Sequence, residues 1–334
     1  VKRPGIPAAA SALGLLADGA NHSGEQIAVQ LGISRAAVWK QIQKLRQLGV
    51  QIEAVRGSGY CLTQPIELLD RQRILHEIGD AARARLERLD VVTVIDSTNS
   101  ALLTGPRPVP GKLWACLAEY QRGGRGRRGR AWLAPLGRGL CMSVAWTFAG
   151  QPGDFAALGL AAGVAVRRAL LAQTGLPIRI KWPNDLLVAD RKLGGILVEI
   201  SAESHGPCFV VIGLGINVSA TPALPPAAGA WAGGAIDLAT AAGAPPPSRN
   251  GLAAAIIDAL TALLSNYATS GFAAYRSEFA EADYLFDRDV IVDGVSRNTS
   301  GRAVGVGADG RLLLERAGEL VEVVAGDVSV RPRP

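Results

Sequence analysis

The chain has 334 residues and a net charge of +6, with its basic excess concentrated at the N-terminus and around positions 124–130. At roughly 100–200 residues per domain this predicts two or three domains with ample core, and the lack of a run of about 18 uncharged apolar residues excludes a membrane span. Cys61, Cys116, Cys141 and Cys208 are far apart and accompanied only by His22, His76 and His205, so zinc-type spacing is missing and the cysteines read as free thiols of a reducing cytoplasm.

At the start, Lys2 and Arg3 run into Pro4, Gly5 and Pro7 with no apolar segment behind them, unlike a secretion signal. Ser11–Asp18 is apolar enough for a short helix that Gly19 ends. Ser23 is placed to cap GEQIAVQL, which stops at Gly32, and Ser34 to cap RAAVWKQIQKLRQL, which stops at Gly49. In this last helix Val38, Ile42, Leu45 and Leu48 fall on one face, and Arg35, Ala36, Trp39, Lys40, Gln43 and Lys44 on the other. Helix, tight turn and second helix with basic and amide groups outward is the helix-turn-helix arrangement. VQIEAV and GYCLT then alternate as strands around Arg56-Gly57-Ser58-Gly59, a wing with a basic tip. A packing module with merely solvated charges would share single features of this set; the combination points to DNA.

Pro65 marks a boundary. Beyond it Ile66–Ile78 reads as a helix and Leu89–Ile95 as a strand that runs into Asp96-Ser97-Thr98-Asn99. Strands are expected at Leu113–Glu119, Leu140–Thr147, Ile178–Lys181, Leu186–Ala189, Gly195–Ile200 and Phe209–Leu214, with LGLAAGVAVRRALLAQT as a helix between the second and third.

Between the first two of these strands lies GRGRRGR, Gly124–Arg130. Arginine forks bind carboxylate and phosphate oxygens bidentately, and glycines let a backbone approach a ligand closely. Four like charges cannot pack into a core, so the segment is expected to be loose until an anion arrives. Gly124, Gly126 and Gly129 satisfy the dinucleotide fingerprint, but the sequel AWLAPLGRGL is no helix and no acidic residue follows at the ribose spacing. A Walker A loop fails as well, because Arg130 and Ala131 stand where Lys and Ser/Thr belong. A solvated basic loop that touches nucleic acid is the plainer alternative.

The Ala/Pro/Gly-rich stretch Thr221–Ser248 predicts loop, apart from a short helix near Ile236–Ala241, and helices follow at Leu252–Ser270 and Ala273–Ala282. Strands in runs, rather than strictly alternating with helices, predict an α+β domain with a largely antiparallel or mixed sheet. From about Leu285, DVIVDG, SGRAVGVGADGRLLLE and ELVEVVAGDVSV are short β-runs with Gly-rich turns, read as a small SH3-like barrel or sandwich. The expected domains are therefore 1–65, 66–284 and 285–334.

RIKWPNDLL (179–187) and RKLGGILVE (191–199) carry the remaining reactive side chains. A hairpin there brings Lys181, Asp185 and Lys192 into one neighbourhood, with Gly194 and Gly195 leaving room. On composition alone Lys192 is an ordinary turn lysine. DSTN at 96–99, EYQRGGRGRRGR at 119–130, KWPND at 181–185, RKLGGILVE at 191–199 and GLGIN at 213–217 together resemble the biotin–protein ligases, in matching order. The N-terminal SGEQIAVQLGISRAAVWKQIQKLR and VRGSGY are similar to the bifunctional members that also repress the biotin operon. The resemblance spans residues 10–330 or so; the stretch 221–248 has no counterpart in it.

The resemblance implies an N-terminal winged helix-turn-helix, a central ligase domain with a mixed sheet related to class II synthetases, and an SH3-like C-terminal barrel. It implies that ATP and biotin form biotinyl-5'-AMP, with Mg2+, and that biotin then passes to a lysine of the biotin carboxyl carrier protein of acetyl-CoA carboxylase. Ser97, Thr98, Asn99 and Gln121 would line the biotin site, beside Gly195. Arg125, Gly126 and Arg127 would clasp carboxylate and phosphate, Lys192 the reacting oxygens, and Arg130 or Lys181 would help with ATP. Trp132 would pack over the closed loop, and Asp185 is left either magnesium-linked or lysine-orienting. No covalent nucleophile is expected, since Cys116 and Cys141 lie in apolar strands. The adenylate would also act as corepressor of a homodimer on operator DNA, contacted by Ser34, Arg35, Ala36, Lys40, Gln43, Lys44 and, from the wing, Arg56. A ligase whose winged helix does not repress, a transcription factor that only senses a small acid, and a lipoate ligase are the alternatives. Retention of both the arginine loop and Lys192 weighs against the second, and the loop with KWPND against the third.

Overall fold

A computed structural model describes residues 11–55, 57–149, 155–202, 207–221, 233–293, 298–325 and 329–332. Arg56 and most of the Ala/Pro-rich stretch, 222–232, lie outside them.

Three helices, α1 (Ala12–Leu16), α2 (Gly24–Leu31) and α3 (Arg35–Gln47), precede the hairpin β1 (Ile52–Val55) and β2 (Gly59–Leu62). Ser23 and Gln26 form a reciprocal capping box on α2, and Ser34 Oγ accepts the Ala37 N–H to start α3. Leu13, Leu16, Ile27, Val38 and Ile42 bury the inner faces together. Gly59 has φ +132, and a Cβ there would stand 2.0 Å from the His22 carbonyl oxygen. Only glycine lets the wing pair with the entry to α2, where His22 and Tyr60 exchange two backbone bonds of 2.9 Å.

The expected helix over Ile66–Ile78 is shorter, α4 (Arg71–Glu77), and is followed by a second short helix, α5 (Asp80–Arg85). The reason is that residues 66–70 are claimed by tertiary partners instead of by helix bonds. Leu69 N–H donates to Glu119 Oε1 at 2.5 Å, Asp70 N–H to Asn250 Oδ1 at 2.7 Å, and Arg249 Nη1 donates to the Glu67 carbonyl at 2.6 Å. Arg249 and Glu119 form an ion pair of 2.8 Å with side chains 3% and 0% exposed. Arg249 also holds the Gly139 carbonyl, at 3.0 and 2.8 Å.

The central sheet has seven strands: β3 (Leu86–Ile95), β4 (Leu113–Gln121), β5 (Gly139–Phe148), β6 (Arg179–Lys181), β7 (Asp185–Val188), β8 (Arg191–Ala202) and β9 (Cys208–Asn217). Their order is β3-β4-β5-β9-β8-β7-β6, with β3 and β4 parallel and the other pairs antiparallel, so the sheet is mixed as expected. The parallel pair requires a crossover, which α6 (Thr98–Leu103) supplies. On one side lie α7 (Leu158–Thr174), α9 (Arg249–Ser270) and α10 (Ala273–Ala282); α8 (Leu238–Ala242) is the short helix expected after the Ala/Pro-rich stretch. Helices α7 and α9 are long and apolar enough to cross a bilayer, but here they belong to the main core and pack on each other. Leu102, Cys116, Ala145, Phe209 and Val211 form a smaller cluster of their own.

Strands β10 (Asp289–Asp293), β11 (Asn298–Val306), β12 (Leu312–Arg316), β13 (Glu319–Val323) and β14 (Ser329–Pro332) make an antiparallel sheet in the order β13-β12-β11-β10-β14. Val290, Ala303, Leu312 and Leu314 join the main core. Trp182, fully buried, donates its indole N–H to the Gly310 carbonyl at 2.9 Å, tying the turn before β7 to this module.

The β7–β8 turn is a two-residue connection in which Ala189 and Asp190 both have positive φ, 47° and 59°. A Cβ in that region costs about 1–2 kcal/mol, partly offset by the greater unfolded-state freedom of glycine. Ala189→Gly is therefore expected to stabilise the chain by about 0.5–1 kcal/mol, seen as a higher urea midpoint at unchanged slope.

Candidate active site

Two polar clusters face the arginine loop. The first begins where β3 ends. Ser97 caps α6, its Oγ accepting the Ser100 N–H at 3.4 Å, and this places Thr98 and Asn99 in the first turn. Thr98 donates its N–H to Gln121 Oε1 at 2.8 Å. Its hydroxyl lies 2.6 Å from Ser143 Oγ, and Ser143 donates to Asn99 Oδ1 at 2.5 Å. Ser97, Thr98, Asn99, Gln121 and Ser143 are all buried. Such a row, with no apolar alternative, is what a polar ligand pocket requires.

The second cluster is the β6–β7–β8 hairpin pair. Lys192 Nζ stands 2.5 Å from Asp185 Oδ1, and Lys181 Nζ 3.4 Å from Asp185 Oδ2. Burial lowers the Lys181 ammonium below its usual range, against the pull of Asp185. Burial works to raise the Asp185 carboxyl, but the Lys192 and Lys181 ammoniums outweigh it and hold it below the usual carboxylate range. Two lysines share one carboxylate, and Arg130 adds its field to Lys181. Lys192 is the exposed member, with 31% of its side chain accessible, and its ammonium sits 5.8 Å from the centre of the Trp132 ring.

Between the clusters runs the arginine loop. Composition predicts a loose segment; the structure shows a narrow one closed by its own backbone. Trp132 N–H donates to the Gly124 carbonyl at 2.8 Å and Gly126 N–H to the Arg130 carbonyl at 2.7 Å. Its tip, Arg127–Gly129, is a single 3-10 turn with Arg128 at φ 59. Arg125 donates to Ser100 Oγ at 3.0 Å and pairs with Glu199 at 3.4 Å. Arg127 donates to the Ala325 carbonyl in the C-terminal module. Trp132 lies flat on the sheet over Gly215, where a Cβ would stand 2.1 Å from the ring, and Asn99 covers Gly213 in the same way. The glycines of GLGIN are thus surfaces on which site residues rest.

The expected site residues therefore gather around one stretch of sheet. Of the two roles left open for Asp185, the geometry supports orientation of the lysines, since both its oxygens are engaged. Among the described residues no group of three His, Cys, Asp or Glu could hold a metal ion, and the single carboxylate at this point, Asp185, already carries the two lysines. Burial pushes the Cys116 thiol up to about 12 and Cys141 up to about 11, which leaves both as core residues without nucleophilic character. Sequence reasoning missed Ser143, Ser100 and Glu199. It also gave no role to Asn217, whose Nδ2 donates to the Ile236 carbonyl at 3.0 Å and so fixes the segment that pairs with Lys192. Their signal was weak: each is an ordinary polar residue in a strand or helix, and only the fold faces them inward.

On α3, Arg35, Ala36, Lys40 and Lys44 are exposed and Gln43 half-exposed, while Ser34 spends its hydroxyl on the cap. These residues form a basic helix face about which α3 has no acidic residue.

Residues 91–217 match the model of the biotin/lipoate A/B protein ligase family, 11–61 an HTH domain and 287–331 the biotin protein ligase C-terminal domain. The bifunctional ligase/repressor BirA of Salmonella typhimurium is 38% identical over 328 residues, 96% of each chain. The same protein of Escherichia coli K12 is 38% identical over 325 residues, again 96% of each chain. The biotin protein ligase of Aquifex aeolicus in complex with biotin and ATP superposes with a TM-score of 0.62 at 25% identity, covering 74% of this chain and all of that one. The site and its sheet thus define a ligase of the biotin/lipoate class. With its helix-turn-helix, the chain belongs to the BirA family of bifunctional biotin ligase/repressors.

Proposed function

We propose that this chain joins biotin to AMP, with pyrophosphate leaving, and passes the biotinyl group to a lysine of a biotin carboxyl carrier protein. The observation that carries this reading is the Lys192–Asp185–Lys181 cluster opposite a buried neutral polar row, closed over by an arginine loop. The row suits an uncharged ring, while the lysines and arginines suit oxygens that gain negative charge. Lys192, held on Asp185 and turned outward, binds the reacting carboxylate and phosphate oxygens. Arg125, Gly126 and Arg127 clasp the adenylate, Trp132 walls the pocket beside Gly195, and Arg130 and Lys181 set the positive field for ATP phosphates. Magnesium would supply further charge neutralisation to the ATP phosphates, in the field of Lys181 and Arg130.

The same reading divides the chain near 65 and 285. The N-terminal module binds operator DNA through Ser34, Arg35, Ala36, Lys40, Gln43, Lys44 and Arg56, as a homodimer when the adenylate is bound. Free thiols fit a cytoplasmic setting.

Incubation with ATP, labelled biotin and a carrier-protein fragment tests the activity; no label on the carrier lysine would sink it. A gel shift on biotin-operon promoter DNA, with and without biotin and ATP, separates the repressor from a ligase that does not repress. Arg127→Gly is expected to release biotinyl-AMP at least about tenfold faster, since a charge-assisted clasp is lost. Unchanged retention in a filtration assay would remove Arg127 from the clasp.

A further inference from the structure

Trp39 is the one large apolar side chain on the outward face of α3, and 55% of it is exposed. The other described tryptophans, Trp114, Trp132, Trp146 and Trp182, are buried or half-buried. Its ring takes no part in the winged-helix core, which Val38, Ile42 and Leu45 close from the opposite face of the same helix. A single exposed apolar residue is ordinary by itself. What singles out Trp39 is its setting.

It stands one helical turn after Arg35 and one turn before Gln43, with Ala36 and Lys40 beside it. Arg35, Lys40 and Lys44 make this face positive, and α3 carries no acidic residue. A helix-turn-helix lays the N-terminal half of its second helix along base edges in the major groove, and Trp39 lies in that half of α3. The charged and amide side chains there meet phosphates and the hydrogen-bonding groups of bases. The carbon edge of an indole has one counterpart in the major groove, the C5 methyl group of thymine. Insertion between bases is the habit of apolar wedges in the minor groove, which is not where this helix enters.

We infer that Trp39 is a specificity-determining residue of the DNA interface, whose indole packs on the C5 methyl of a thymine beside the base that Gln43 reads. The inference rests on the operator-DNA reading given above. It divides the work of α3: Lys40 and Lys44 supply attraction that falls with salt, and Trp39 supplies a preference for thymine that does not.

The probe is a biotin-operon promoter fragment made in two forms, one with thymine and one with deoxyuridine throughout. The forms share their phosphates and hydrogen-bonding edges and differ by the methyl groups alone. Affinity is measured by gel shift in the presence of biotin and ATP, for the full chain, Trp39→Ala and Trp39→Phe. Burial of one methyl group is worth about fourfold, so the parent is expected to bind the deoxyuridine form at least about fourfold more weakly. Trp39→Ala is expected to lose at least about fourfold on the thymine form and to bind both forms alike. Trp39→Phe keeps an intermediate preference, because a smaller ring still meets the methyl. The slope of log affinity against log salt stays at the parent value in Trp39→Ala; a slope smaller by about one would mean a lost phosphate contact and overturn the inference. Transfer of biotin to the carrier within about twofold of the parent shows that each variant is folded, as expected for a change at an exposed position.

Equal affinity of the parent for the two forms overturns the inference, and so does a deoxyuridine penalty that survives in Trp39→Ala. Sedimentation of the DNA-free chain gives the remaining alternative: self-association weakened by Trp39→Ala, with no deoxyuridine penalty in the parent, assigns the indole to a second copy of the chain instead. A parent that binds neither form overturns the DNA reading and the inference with it, a failure distinct from the loss of thymine preference alone.

Discussion

Lys192→Ala is expected to cut the rate of adenylate formation by about 10²–10³-fold while biotin affinity in the absence of ATP changes little. The reason is where Lys192 sits and what it leaves behind. Its ammonium is 2.5 Å from Asp185 Oδ1, with Trp132 at 5.8 Å, so the charge is placed before substrate arrives and needs no reorganisation during reaction. Lys181 cannot substitute, because its side chain is only 6% exposed and it is already on the other oxygen of Asp185. Lys192→Arg is expected to restore little, since a planar guanidinium does not reproduce a compact ammonium at that point. Pyrophosphate release in the presence of biotin and ATP reads the effect directly. Near-normal release in Lys192→Ala would remove the residue from the chemistry.

Arg249→Met is the second large effect, and it concerns stability. Arg249 and Glu119 are both buried, and truncating one partner leaves the other charge without compensation, which costs about 3–5 kcal/mol. The loss is compounded because Arg249 also holds the carbonyls of Glu67 and Gly139. Glu119→Leu combined with Arg249→Met removes both charges and is expected to recover only part of the loss, because the Leu69 N–H and the Glu67 and Gly139 carbonyls still lose their partners. Urea titration of the two variants distinguishes these cases. A single variant within about 1 kcal/mol of the parent would mean that water reaches the pair.

The parts of the molecule legible in the sequence were those with local signals. Ser23 and Ser34 announced their helices because capping is a matter of adjacent residues, and the runs of β-branched residues announced the sheet strands. The helix over Ile66–Ile78 is shorter than expected because the competitors for its backbone, Glu119, Arg249 and Asn250, are 50 to 182 positions away in the chain. The same limit hid Glu199 and Ser143. Their partners Asn99 and Arg125 come from other elements, and neither a strand glutamate nor a strand serine differs in sequence from its solvated counterparts. The arginine loop is recognisable by composition, but its backbone closure between Gly124 and Trp132 depends on one glycine, Gly124, set against the Trp132 carbonyl, which composition does not reveal.

The indole of Trp182 is fastened to the Gly310 carbonyl, and Gly310 itself sits at φ +80 with a Cβ position 2.7 Å from Ala157. That turn lies on the small C-terminal sheet, where changes of loop length are ordinarily tolerated. Here it is a keystone: a side chain on Gly310 would press on Ala157 and Leu160, and lengthening the turn would draw the Gly310 carbonyl away from Trp182, the chain neighbour of Lys181. The peripheral module thus has no freedom to drift independently of the catalytic one, and the two must change together.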